Sequence, residues 1–124
     1  MWTREFGKYF AVIKAESYAR AIEKMQHQIL LCVRYTTQPG QVNTFLAALN
    51  EQGIIQASKA EPGNAKYEYS IPVEAENALL LLEIWVDAEA QAAHVNTAHY
   101  QKLQALKKAY VTDVAIEKYQ IAPF

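Results

Sequence analysis

Leu79 to Val86 reads Leu-Leu-Leu-Leu-Glu-Ile-Trp-Val, and no other stretch restricts the fold as much. A strand with one wet face alternates apolar and polar residues; this one is apolar on both faces except at Glu83. Both sides of the sheet that holds it must therefore be covered. Helices from a chain of 124 residues can cover one side, and a second copy of the protein is the expected cover for the other. Glu83 and Trp85 share a parity and look onto one face. A carboxylate inside such a strand is costly unless paired, which makes that face a candidate pocket.

Composition narrows the partners. The length fits one domain, and 52% of the residues are hydrophobic and 20% charged; few charges suit a surface partly hidden in an oligomer. A net charge of −1, with twelve Lys and Arg scattered along the chain, gives no basic footprint, so nucleic acid is not an expected partner. One cysteine, Cys32, excludes an intrachain disulfide and a cysteine-based zinc site. Its place in Ile29-Leu-Leu-Cys-Val33 predicts a small buried filler. No stretch approaches the roughly 20 apolar residues of a membrane span, and no signal-peptide core opens the chain. A cytoplasmic protein with no membrane partner is expected.

From residue 29 onward the pattern reads strand, helix, strand, strand, helix, strand. The first strand, Ile29 to Thr37, ends at the turn signal Gln38-Pro39-Gly40. Val42, Phe45, Leu46, Leu49 and Gly53 share one helical stripe, stopped by Glu61-Pro62-Gly63. Pro then Gly suits the central positions of a type II turn. The second strand spans Ala65 to Ile71 and the last Val111 to Ile121. Asp87 is a natural N-cap for the second helix. His94 and His99 would point about 140° apart on one straight helix. Thr97 can act as a fresh N-cap, breaking that helix and bringing both imidazoles to one side. Tyr100, Leu103 and Leu106 read as core. Residues 1–28 stand apart as an accessory arm, and residues 29–124 form the domain.

The order βαββαβ is the ferredoxin-like α+β plan, an antiparallel sheet with helices on one face. At Glu61-Pro62-Gly63 and Glu83-x-Trp85-x-Asp87…His94-x-x-Thr97-x-His99, the chain resembles the antibiotic biosynthesis monooxygenase family over about residues 29–121. Ala98 departs from the family, which often has Pro there. The resemblance implies a homodimer whose sheets pack face to face as a dimeric α/β barrel. It also implies oxidation of a small aromatic or quinol by O2, without flavin, metal or other cofactor. Such chemistry needs a base to make a phenolate or carbanion, and an apolar cavity to hold the ring and exclude water.

On this reading His94 is the base or a substrate hydrogen-bond partner, with a structural histidine as the alternative. Glu83 either orients His94, accepts from substrate, or forms a buried pair with Arg34. Trp85 is a pocket wall or an ordinary core residue, and His99 binds substrate or stabilises the broken helix. Tyr35 and Tyr67 are expected to line the same cavity, and Asn96 to cap or to bind. Two histidines with Glu83 could in principle ligate a metal, but the spacing matches no standard motif and none is expected.

Three other functions remain open. The Glu83…His94…His99-Tyr100 pattern also resembles the isomerase of phosphorylated autoinducer-2, which tends to have Tyr where Trp85 stands. A phosphorylated sugar would want a cationic pocket, for which Arg34 is the obvious candidate. Haem-degrading relatives carry Asn and His where this chain has Val33 and Gln104, which speaks against that activity. The non-enzymatic alternative is a small-ligand binding protein on the same scaffold.

Overall fold

A computed structural model describes residues 27–122; nearly all of the arm expected over residues 1–28 lies outside the described residues. Eight elements follow in order: β1 (Gln28–Thr37), α1 (Val42–Glu51), α2 (Ile54–Lys59), β2 (Asn64–Ser70), β3 (Ala78–Trp85), α3 (Ala88–His94), α4 (Ala98–Tyr110) and β4 (Val111–Ile121). The strands form one antiparallel sheet in the order β2-β3-β1-β4. This is the ferredoxin-like βαββαβ arrangement, and the expected β4 matches the observed one residue for residue. No helix among the described residues is long and apolar enough to cross a membrane.

Register fixes which side chains meet the helices. Leu31 pairs with Glu83, Val33 with Leu81, Tyr35 with Leu79 and Ile29 with Trp85. These residues share one face, as strand parity demands, and all of them are buried. They pack with Phe45 and Leu49 of α1, Ile54 and Ile55 of α2, and Leu103 of α4 as one core. Each fully buried Phe or Leu contributes roughly 1.5–3 kcal/mol of transfer free energy. The opposite face carries Leu30, Cys32 and Arg34 of β1 and Leu80, Leu82 and Ile84 of β3, only Arg34 of which is exposed. Across its middle runs a hollow of about 410 Å3 lined in part by Cys32, Arg34, Leu80, Leu82, Ala115 and Glu117. Cys32 is therefore half-buried on this helix-free face rather than a filler of the helix-side core.

Three local expectations need correction. The first helix is two helices: Gly53 adopts φ 71°, a left-handed conformation that ends α1, and its carbonyl restarts α2 by accepting from Ala57 N at 3.0 Å. The turn at Pro62-Gly63 is closed by Asn64 N donating to Glu61 O at 3.0 Å, but Gly63 has no positive φ. It is therefore not the type II turn that Pro-Gly suggests. Glycine is required there by proximity: a Cβ on Gly63 would lie 2.3 Å from the Ala90 Cβ on α3. Third, Arg34 pairs with Leu80 and points to the helix-free face, so it cannot meet Glu83.

The break between α3 and α4 follows the sequence. Asp87 caps α3 by accepting from Ala90 N at 2.8 Å. Thr97 caps α4 by accepting from Tyr100 N at 3.1 Å, while its hydroxyl donates to His94 O at 2.7 Å. One hydroxyl thus ties the last carbonyl of one helix, which also accepts from Thr97 N at 3.1 Å, to a free amide of the next.

Candidate active site

His94 is the last residue of α3 and is 3% exposed. Its Nδ1 lies 2.6 Å from Glu61 Oε2, and His99 Nε2 lies 2.8 Å from the same oxygen. A carboxylate only accepts, so His94 donates through Nδ1 and His99 through Nε2. This fixes the His94 tautomer and leaves Nε2 as its basic nitrogen. The broken helix does bring both imidazoles to one side, with ring centroids 5.7 Å apart. Glu61 reaches them because its own turn is anchored: Gly63 O accepts from Val86 N at 2.9 Å, and bare Gly63 lets α3 approach.

The His94 ring is held by aromatic neighbours as well. Trp85 stacks on it with centroids 4.6 Å apart and planes 33° from parallel. Tyr100 and Tyr67 meet it edge-on at 5.3 Å and 5.9 Å. Trp85 is completely buried and donates Nε1–H to Glu83 Oε1 at 3.0 Å. Burial raises the Glu83 carboxyl above its usual range; the Trp85 hydrogen bond and the charge of His94 pull it back, and Glu61 adds to the rise. Tyr67 shares a hydrogen bond with Tyr69 through their hydroxyls at 3.2 Å, and burial pushes it up to about 12.

A cavity of about 110 Å3 opens beside His94. Glu83, Tyr35, Tyr100 and Lys107 supply the rest of its polar lining apart from Gln91, and Leu31, Val33, Leu103 and Val114 are among its apolar walls. Burial raises the Tyr35 phenol and lowers the Lys107 ammonium. Lys107 Nζ stands 5.7 Å from the centroid of the Tyr35 ring, a weak cation–π contact.

The site thus gathers His94, Glu83 and Tyr35 of the expected residues at one cavity. Trp85, His99 and Tyr67 stand behind it and touch or support His94 without lining the hollow. Asn96 is exposed and donates from Nδ2 to Ala92 O at 3.2 Å, closing the end of α3 rather than facing a ligand. No hydrogen bond joins Glu83 to His94; the carboxylate that holds the histidine is Glu61. Tyr100, read from the sequence as core, and Lys107, which that reading did not single out, both line the cavity. A charge on the apolar stripe Tyr100, Leu103, Lys107 was the legible signal for the second of these.

Glu61, His94 and His99 also place their ligand atoms within 4.8 Å of one another, so among the described residues this trio, not one built on Glu83, is the set that could take a divalent ion. Two nitrogens sharing one carboxylate oxygen at 2.6 and 2.8 Å are equally what two N–H donors produce.

A sheet covered by helices on one face, with a carboxylate-held histidine at a small cavity between the layers, defines an α+β domain of ferredoxin-like plan with a polar pocket. The chain belongs to the antibiotic biosynthesis monooxygenase family, whose sequence model matches residues 29–106. A Bacillus subtilis protein named "Putative monooxygenase YcnE" is 36% identical over 80 residues, covering 64% of this chain and 82% of that protein. Among solved structures, a protein of Shewanella oneidensis superposes with a TM-score of 0.70 at 22% identity, over 77% of this chain and 92% of that one. One from Nitrosomonas europaea, named "Putative antibiotic biosynthesis monooxygenase", gives 0.66 at 20% identity, over 73% and 95%. At such identities these two structures speak for the fold alone.

Proposed function

We propose that the protein is a cofactor-independent monooxygenase that oxidises a small aromatic or quinol with O2, working as a homodimer. The observation that carries this reading is the Glu61–His94 pair at the wall of the cavity. With Nδ1–H held by Glu61, Nε2 is free to take the proton of a phenol. The carboxylate offsets the positive charge that then forms on the ring. The resulting phenolate passes an electron to O2, and recombination at carbon gives a hydroperoxide that loses water. For a phenol with an open para position the balance is ArH(OH) + O2 → quinone + H2O. The substrate supplies all four electrons, so the sum requires no external reductant. Leu31, Val33 and Leu103 keep water from the intermediate, and the Glu83 carboxyl, made harder to ionise by burial, is suited to donate to a substrate oxygen.

Dimerisation is supported by the helix-free sheet face, where Leu30, Leu80, Leu82 and Ile84 form a continuous apolar strip of the kind that marks an interface. Sedimentation velocity should give twice the chain mass, and a monomer at micromolar concentration would refute the dimer. The activity is tested by oxygen uptake with a panel of quinols, before and after dialysis against EDTA. His94→Ala should lower the rate by about 10²–10⁴-fold. Uptake indifferent to the substitution removes His94 from the mechanism, and loss of activity on chelation reassigns the Glu61–His94–His99 trio to a metal. No uptake with any quinol favours a binding protein or the isomerase.

A further inference from the structure

Resting on the reading above, we propose that the substrate is a single-ring phenol or quinol bearing an anionic group, most simply a carboxylate, which Lys107 binds. Two observations carry this. The first is size: about 110 Å3 is of the order of the roughly 150 Å3 engineered cavities that take up benzene. A hollow no larger than that bounds the ligand to one six-membered ring whose substituents reach its rim, and leaves no room for a fused polycycle. The second is charge. Among the described residues Lys107 has no carboxylate partner; its polar head contacts only the face of Tyr35. It lines the same cavity as His94, so a ring resting against His94 can present a substituent to it.

The surroundings favour an anion there. Burial disfavours the Lys107 charge, and a bound carboxylate would restore what desolvation removes. Glu83, the one acidic residue of the lining, is held by Trp85 and is itself biased by burial toward its neutral form. Lys107 is therefore the one basic side chain of the lining besides His94, whose imidazole is already held by the Glu61 carboxylate. The lysine stands at the i+7 position from Tyr100, so α4 presents the cation, Leu103 and the Tyr100 ring along one face.

The test is calorimetric titration of the whole protein, without oxygen, with 2-, 3- and 4-hydroxybenzoate and the three matching hydroxybenzamides. At least one acid should bind about tenfold more tightly than its amide, the worth of one charge-assisted hydrogen bond. Lys107→Met should bring that acid down to the level of the amide, Lys107→Arg should keep the preference, and Lys108→Met, at an exposed neighbour, should leave it intact. Equal affinity for acids and amides, no binding of any acid, or a preference that survives Lys107→Met would overturn the proposal. Oxygen uptake with dihydroxybenzoates separates this outcome from failure of the oxygenase reading. Acid-selective binding with no oxygen consumed by any phenol refutes the oxygenase and leaves the anion site standing. Uptake confined to neutral quinols does the reverse.

Discussion

Replacing Gly63 by alanine should loosen the contact that brings Glu61 to the histidines. The new Cβ would stand 2.3 Å from Ala90 Cβ and 3.4 Å from both Ala90 Cα and Val86 Cγ2. Carbon atoms rest at about 3.5–4.0 Å, so α3 must retreat from the turn by more than about 1 Å. Backbone strain plays no part, because Gly63 is not in the left-handed region. The whole cost is overpacking, about 1–3 kcal/mol, read from urea denaturation midpoints. Ala90→Gly in the first turn of α3 removes the struck atom and by itself costs at most about 1 kcal/mol of helix propensity. The double variant should be more stable than Gly63→Ala alone, with a coupling of about 1–2 kcal/mol. Stability of Gly63→Ala within about 0.5 kcal/mol of the parent, or a double variant no better than the single, would refute the packing argument.

Glu61→Gln keeps the shape but removes the charge facing both imidazoles; oxygen uptake should fall by about 10–100-fold. Nitrogen NMR should then show His94 leaving the single Nδ1–H tautomer, and an unaltered tautomer would show that Glu61 does not set it. Glu83→Gln tests the buried carboxyl through stability. A carboxyl raised in the folded state favours folding only while protonated, so its contribution is full below the unfolded value of about 4.3 and is lost as pH rises toward the folded value. Urea titrations from pH 4 to 8 should show the parent losing stability relative to Glu83→Gln as pH rises. Parallel curves would mean that Glu83 is not desolvated.

Much of this architecture could be read from local pattern. Period-two alternation and turn residues located the strands, and short side chains able to cap, Asp87 and Thr97, marked where α3 and α4 begin. Parity put Glu83 beside Trp85, where the indole does bond the carboxylate. Long-range pairing was less accessible. Glu61 lies 33 and 38 residues from its two histidines, in a tripeptide whose visible message is a chain reversal. Arg34 seemed a partner for Glu83 because strand neighbours do meet, but β1 slides so that Leu31 faces Glu83; a single sequence does not reveal register. Gly53 fell on the apolar stripe and so concealed a helix end, since periodicity is blind to the sign of φ. Lys107 was hidden by the habit of assigning a charge to solvent.

The shared Glu61 oxygen has a consequence for how this chain tolerates length changes. Two rings from separate helical segments clasp it like opposed fingers, and only the interval from Val95 to Ala98 sets their angle. One residue added to or deleted from that interval would shift the downstream imidazole relative to the first and release the grip. The turn at Pro62-Gly63, which delivers the oxygen from the other side, is bound by the same constraint.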